Sequence, residues 1–267
     1  LSGKSTGATA LNGVNHIGTL GSFSAANFAL TNAQSLTVAG PLDGGASTSL
    51  TTSAGDLAIN GTVKGATTTL VSAGAITEGA NGGVVAGTLT GSSVGSTTLD
   101  PANLIDNLGA FSANGFNLLN GNALTVTGPV NAGPSLILAT TSGDLTINGA
   151  VSGTATQLIS AGNISEGTSG VITAATLSGQ TPGTTMLGSS AQRNNNMVDV
   201  LGNFSSKGGF SMTNDKTLTL ASVDGSAFTV DAGTSAFYLS VTHGDLFQLG
   251  TTWLYDGLGT WSATGRM

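Results

Sequence analysis

The sequence contains no cysteine, which excludes disulfides and thiolate metal sites. With two histidines beside that absence, a zinc centre is not expected. Charged residues make up only 7 % of the chain, and just six are basic, against thirteen acids. A chain of net charge −7 with so few cations has no electrostatic footprint for nucleic acid, and no polybasic segment for anionic lipid. Strong helix formers such as Lys, Arg, Glu, Gln and Met are scarce. No apolar run approaches the ~18 residues of a membrane-spanning helix. Glycine does not recur at every third position, so collagen is excluded. The Gly-Gly-x-Gly-x-Asp repeat of calcium-binding β-rolls is absent, and so are a Walker loop, a dinucleotide fingerprint and a Gly-x-Ser-x-Gly elbow in a convincing context.

What remains is 39 % apolar and rich in glycine (42 residues), serine, threonine and asparagine. A disordered chain is poor in apolar residues and rich in charge, the reverse of this one. Low aromatic content, at 5 %, predicts a core of Leu, Val, Ile and Ala, with short strands joined by many turns.

The dominant signal is internal repetition. Sliding the chain by 88 residues aligns 20–91 with 108–179 without a gap, and 38 of the 72 positions are identical. Leu20-Gly21-Ser22-Phe23-Ser24 matches Leu108-Gly109-Ala110-Phe111-Ser112, and Gly55-Asp56-Leu57-Ala58-Ile59-Asn60-Gly61 matches Gly143-Asp144-Leu145-Thr146-Ile147-Asn148-Gly149. A third, divergent copy starts at Leu201-Gly202-Asn203-Phe204-Ser205, at an offset of 93. Residues 1–19 match 89–107, so the sequence is expected to open on the tail of a partial repeat. The organisation read from these matches is 1–19 partial tail, 20–107 repeat 1, 108–200 repeat 2, and 201–267 a divergent repeat 3 with an aromatic-rich end. The start at Leu1 is read as that of a processed chain or a piece of a longer one.

Inside each long repeat runs a shorter beat. Ser35-Leu36-Thr37-Val38-Ala39-Gly40 is echoed 21 residues later by Asp56–Gly61, and Gly74-Ala75-Ile76-Thr77-Glu78-Gly79 follows after 18 more. Each unit alternates with period 2, as a strand with one buried face does. A coil of roughly 20 residues cannot bury its inner side chains alone, but stacked coils build a continuous core. The predicted fold is therefore all-β: a right-handed parallel β-helix (β-solenoid), one elongated rod of roughly 20-residue coils. Tandem β-sandwiches and a propeller are the weaker architectures.

The units Gly55–Val63 and Thr69–Thr77 resemble the repeats of filamentous-haemagglutinin-type bacterial surface exoproteins, whose pattern is Gly-Asp-Leu-x-Ile-x-Gly followed by Leu-x-x-x-Ala-x-Gly-x-Ile. The resemblance covers residues 20–180 well and 200–250 loosely. It implies a right-handed parallel β-helix, export across the outer membrane, and a role in adhesion, biofilm or fibre formation.

For chemistry the sequence offers little. Asp56, Asp144 and Asp245 recur at equivalent strand starts, and Glu78 and Glu166 recur before a glycine. Recurrence at one repeat position reads as a turn or corner role rather than catalysis. His243 precedes Gly244-Asp245, and His16 lies in the partial tail. Neither has a nucleophile at recognisable spacing. The clusters Thr67-Thr68-Thr69, Thr97-Thr98 and Thr184-Thr185 could line an outer face. The aromatics Phe237, Tyr238, Phe247, Trp253, Tyr255 and Trp261 gather near the end. They are read either as a cap over the last coil or as a contact surface, where aromatics concentrate binding energy.

The function expected is that of an extracellular structural or adhesive solenoid, secreted or on the bacterial surface, with no enzymatic activity and no cofactor. Self-association into a head-to-tail filament and a carbohydrate or protein ligand from host or matrix are the partners considered. The alternatives are a carbohydrate-active β-helix enzyme, which needs paired acids in a groove, and an ice-binding solenoid, which needs ordered threonine ranks.

Overall fold

The computed structural model describes residues 1–188, 196–222 and 228–249, together with the backbone of 252–255 and 259–263; the side chains of 101 and 102 are outside that description. Every described element is a β-strand, and every strand pairing is parallel. The chain is a β-solenoid, as its alternating pattern predicts.

One turn illustrates the construction. The strand Thr62–Ser72 alternates inward and outward, apart from two successive exposed residues at Ala66 and Thr67, where it rounds a corner. Val63 and Gly65 face inward before that corner, and Thr68, Leu70 and Ser72 after it. A second corner at Ala73–Ala75 leads to Ile76–Glu78, the third side, and a third corner leads to Gly83–Ser93 in the next turn. Each turn thus has three sides around one interior. Gly55 and Gly143, at φ +74°, turn the chain immediately before Asp56 and Asp144, a backbone region that disfavours a side chain.

Like stacks on like along the axis. Leu30, Leu50 and Leu70 form one inner ladder, and Leu36, Leu57 and Ile76 another. The core of Leu, Val and Ile is the one expected from composition, but phenylalanine belongs to it as well. Phe28, Phe116, Phe204, Phe210 and Phe228 are all fully buried. Once per long repeat a phenylalanine pair packs ring to ring: Phe23–Phe28 at 4.9 Å, Phe111–Phe116 at 4.7 Å and Phe204–Phe210 at 5.0 Å.

The long repeat carries a rotation that its length conceals. Phe23 stands in the ladder Gly3–Phe23–Leu42–Val63. Its repeat equivalent Phe111 instead continues a different ladder, Leu50–Leu70–Gly91–Phe111–Val130. The second repeat is therefore turned by one side of the three-sided section relative to the first. The change is made in the 16-residue strand Thr97–Ser112, whose register shifts between Leu99 and Asn103 against the following turn. One corner disappears there while another opens at Thr127–Pro129.

Candidate interaction face and buried polar seam

On the side that carries Leu30, Leu50 and Leu70 inward, the outward positions of repeat 1 form three parallel ranks. They are Asn27–Ser47–Thr67–Thr88–Asn107, Ala29–Ser49–Thr69–Thr90, and Thr31–Thr51–Val71–Ser92–Ser112. None of these residues is charged. Rank members sit ~4.8 Å apart along the axis and about 7 Å apart along the strand. Thr69 and Thr90 share a hydroxyl hydrogen bond of 3.0 Å across the coils. The pattern ends with repeat 1, because Ile137, Gln157 and Ile159 stand where Ser49, Thr69 and Val71 stood.

The threonine clusters do not lie wholly on an outer face, which corrects the sequence reading. Thr68, Thr97 and Thr185 are buried, while Thr67, Thr69, Thr98 and Thr184 point outward or lie at the surface. Strand alternation splits each run between core and surface.

Two shallow grooves occur at equivalent places in the two repeats. The larger, of about 450 Å³, is lined by Gly153, Ala174, Met197, Asp199 and Lys216 among others. The smaller, of about 360 Å³, is lined by the equivalents Gly65, Ala86, Leu104, Asp106 and Asn122. Each groove carboxylate is already held by the next turn. Asn122 donates to Asp106 at 2.9 Å, and Lys216 forms an ion pair with Asp199.

The recurrent aspartates act as coil-to-coil ties. Asp56 accepts the Ala75 N–H at 2.7 Å, and Asp144 accepts the Asn163 N–H at 2.7 Å. The Asp245 N–H donates to the Thr217 hydroxyl, as the Asp56 N–H donates to Ser35. His243 pairs with Asp215 of the preceding turn rather than with neighbouring Asp245, and it is 81 % exposed. A hydrogen bond from Thr242 at 2.6 Å, and then the His243 contact, lower the Asp215 carboxyl below the usual aspartate range. Lys207 and the Gly233 N–H do the same for Asp231. Among the described residues no three His, Asp or Glu side chains gather as a metal site would require.

The two glutamates, the only ones in the chain, are not corner residues, and here the sequence reading is corrected. The alternation Ile76–Thr77–Glu78 continues the inward phase of Ile76, so Glu78 stands in the inner ladder Val38–Ile59–Glu78. Glu166 stands likewise in Val126–Ile147–Glu166 and is 6 % exposed. Each meets an asparagine from the coil that follows the next: Asn103 Nδ2 donates to Glu78 at 3.0 Å, and Asn196 Nδ2 donates to Glu166 at 2.9 Å.

Those asparagines begin a seam that composition gave no reason to expect. Asn15, Asn103 and Asn196 stack in register on Asn32, Asn120 and Asn214, once per long repeat. Asn120 accepts the Ile105 N–H at 2.9 Å and donates to the Ile105 carbonyl at 2.8 Å and the Asn122 carbonyl at 3.0 Å. Asn32 treats Ile17 and Gln34 in the same way, and Asn214 treats Val198 and Lys216. Where the register shifts, strand partners are lost, and a buried peptide group without a partner is costly. The amide side chain, with a donor and an acceptor, stands in for the missing strand. Beyond two of the upper asparagines the column continues as hydroxyls, Asn32–Thr52–Ser72–Ser93 in repeat 1 and Asn120–Thr140, joined to Ser160, in repeat 2, whereas Asn214 is followed by Val241.

No protein-family model, curated protein or solved structure matches this chain. The fold and the residues within it carry the functional reading.

Of the terminal aromatics, Phe237 is core: it is buried and stacks on Phe210 at 5.5 Å with an interplanar angle of 13°. Tyr238 alternates outward beside it and is partly exposed, and Phe247 is 44 % exposed. The side chains of Trp253, Tyr255 and Trp261 lie outside the described residues.

Proposed function

We propose that this solenoid is a structural, adhesive rod of the bacterial exterior, a spacer and binding surface rather than a catalyst. One observation carries the reading: at least six of the nine aspartates among the described residues hold a neighbouring coil through their carboxylates. Asp43 pairs with Lys64, Asp56 with the Ala75 amide, Asp106 with Asn122, Asp144 with Asn163, Asp199 with Lys216, and Asp231 with Lys207. A hydrolytic site needs the opposite, a pair of acids free to exchange protons with a substrate. The resemblance of Gly55–Thr77 to exoprotein repeats supports the exterior setting. Self-association into filaments, and a carbohydrate or protein ligand of host or matrix, fit the same role.

The test is to delete the encoding region in its source bacterium and measure attachment to abiotic and host-derived surfaces, with negative-stain electron microscopy of the purified chain alongside. Reduced attachment and stiff rods are expected. Unchanged attachment, or turnover of pectin-like or glucan substrates by the purified chain, would overturn the proposal, and monodisperse short rods at all concentrations would remove the filament.

A second reading, ice binding, is favoured by the three uncharged ranks on the face of repeat 1, in which serine and threonine predominate. If it holds, the purified chain gives thermal hysteresis that Thr69→Lys and Thr90→Lys together abolish. A wild-type chain without hysteresis ends that reading.

A further inference from the structure

We propose that the seam around Glu78 is a proton-controlled joint in the rod, closed when the carboxyl is neutral and loosened when it ionises. Glu78 replaces an aliphatic residue in an inner ladder, directly beside the turn in which the three sides are reassigned. One carboxyl oxygen, Oε2, accepts from Asn103; the other, Oε1, is shielded from solvent and has no hydrogen-bond partner. Asn103 is committed elsewhere as well. Its Oδ1 accepts the Val84 N–H at 2.8 Å, and its Nδ2 also reaches the Leu119 carbonyl. Ionisation would therefore place charge on an oxygen that no donor meets, and burying such a charge is costly.

The charged groups on the neighbouring elements give no relief. The strand Leu57–Ile59 presents Ile59, and the Asp56 that precedes it is turned to the outer corner at Ala75. The strand Thr62–Ser72 carries Lys64, which is outward and paired with Asp43. On the strand Thr97–Ser112, Asp106 is held by Asn122, and Asp100 adds like-charge repulsion. Burial is the larger cause and Asp100 a lesser one; the Asn103 hydrogen bond opposes them, and the Glu78 pKa stands at about 7 instead of 4.5.

The sign follows from linkage. A carboxyl whose folded pKa lies above its unfolded value holds protons in the folded state that the open state releases. Its stabilising contribution is complete below about pH 4.5 and is lost as pH rises through about 7. The joint is thus tight in acid and loose in mild alkali. Opening of the segment 76–105 should become more favourable by tens of fold between about pH 5 and pH 8.

Amide hydrogen exchange of the full chain across that range, corrected for intrinsic rates, tests the proposal. Wild type should show the increase in 76–105, and Glu78→Gln, which is neutral at every pH, should not. Equal protection of the wild-type segment across the range, or the same rise in Glu78→Gln, overturns it. Should Glu78→Gln fail to fold, carboxyl-carbon NMR decides on wild type, because the chain has only two glutamates to resolve. A Glu166→Gln variant assigns the remaining signal. Titration of Glu78 near neutrality supports the joint, and titration at the ordinary glutamate value overturns it.

Discussion

Asn120→Ala is expected to destabilise the solenoid by about 3–5 kcal/mol, which is large for one side chain. The reason is the number of groups left behind. Asn120 is 0 % exposed and meets the Ile105 N–H, the Ile105 carbonyl and the Asn122 carbonyl. Truncation strands all three in a place that water does not reach, and each stranded polar group costs ~1–3 kcal/mol. Strand pairing cannot recover them, because the register against Asn103 is already shifted there. Urea denaturation followed by circular dichroism measures the loss. Asn117→Ala, three residues earlier on an outward position, is the control and should stay within about 0.5 kcal/mol. Equal effects at the two sites would show that the seam asparagine is not a structural tie. Because the turns of a solenoid contact mainly those next to them, the damage should be concentrated at the repeat junction.

The same residues show where sequence reasoning reached and where it stopped. Strand alternation in Leu36-Thr37-Val38 or Leu57-Ala58-Ile59 identifies the inner face without ambiguity, and the gapless 88-residue match makes stacking the natural arrangement. The seam was written in the same alternation but hidden by residue type. In Phe28-Ala29-Leu30-Thr31-Asn32 the inward phase runs Phe, Leu, Asn, and in Leu70-Val71-Ser72 it runs Leu, Ser. A polar residue at the end of an apolar run reads as the first residue of a turn. Here it is the last residue of the core. Glu78 was misread for the same reason, since a following glycine suggests a corner while the phase set by Ile76 points inward. The turning of one repeat relative to the next was not legible at all. It depends on register between chain segments about 20 residues apart, which identity between copies does not reveal.

Phe111→Ala should cost about 3–5 kcal/mol, the usual range for removing a buried aromatic ring, and the loss should resist repair from the adjacent coil. Phe111 is 2 % exposed, packs against Phe116, and is paired in register with Gly91. Phe23 stands on Gly3 and Phe204 on Gly179 in the same way. A Cβ placed on Gly91 would come within 2.9 Å of the Phe111 ring, so the glycine makes room for the ring. That suggests an exchange in which Gly91→Ala fills part of the cavity left by Phe111→Ala. The same Cβ, however, would lie 2.0 Å from the Leu70 carbonyl oxygen, which belongs to the ladder itself and cannot swing aside. The double variant should therefore be less stable than Phe111→Ala alone, by about 1–3 kcal/mol for forced overpacking. A double-mutant cycle by thermal or urea denaturation separates the two outcomes. If the double variant instead regains stability, the constraint at Gly91 is the ring and not the backbone. The once-per-repeat Gly–Phe register would then be a packing choice and not a demand of the parallel ladder.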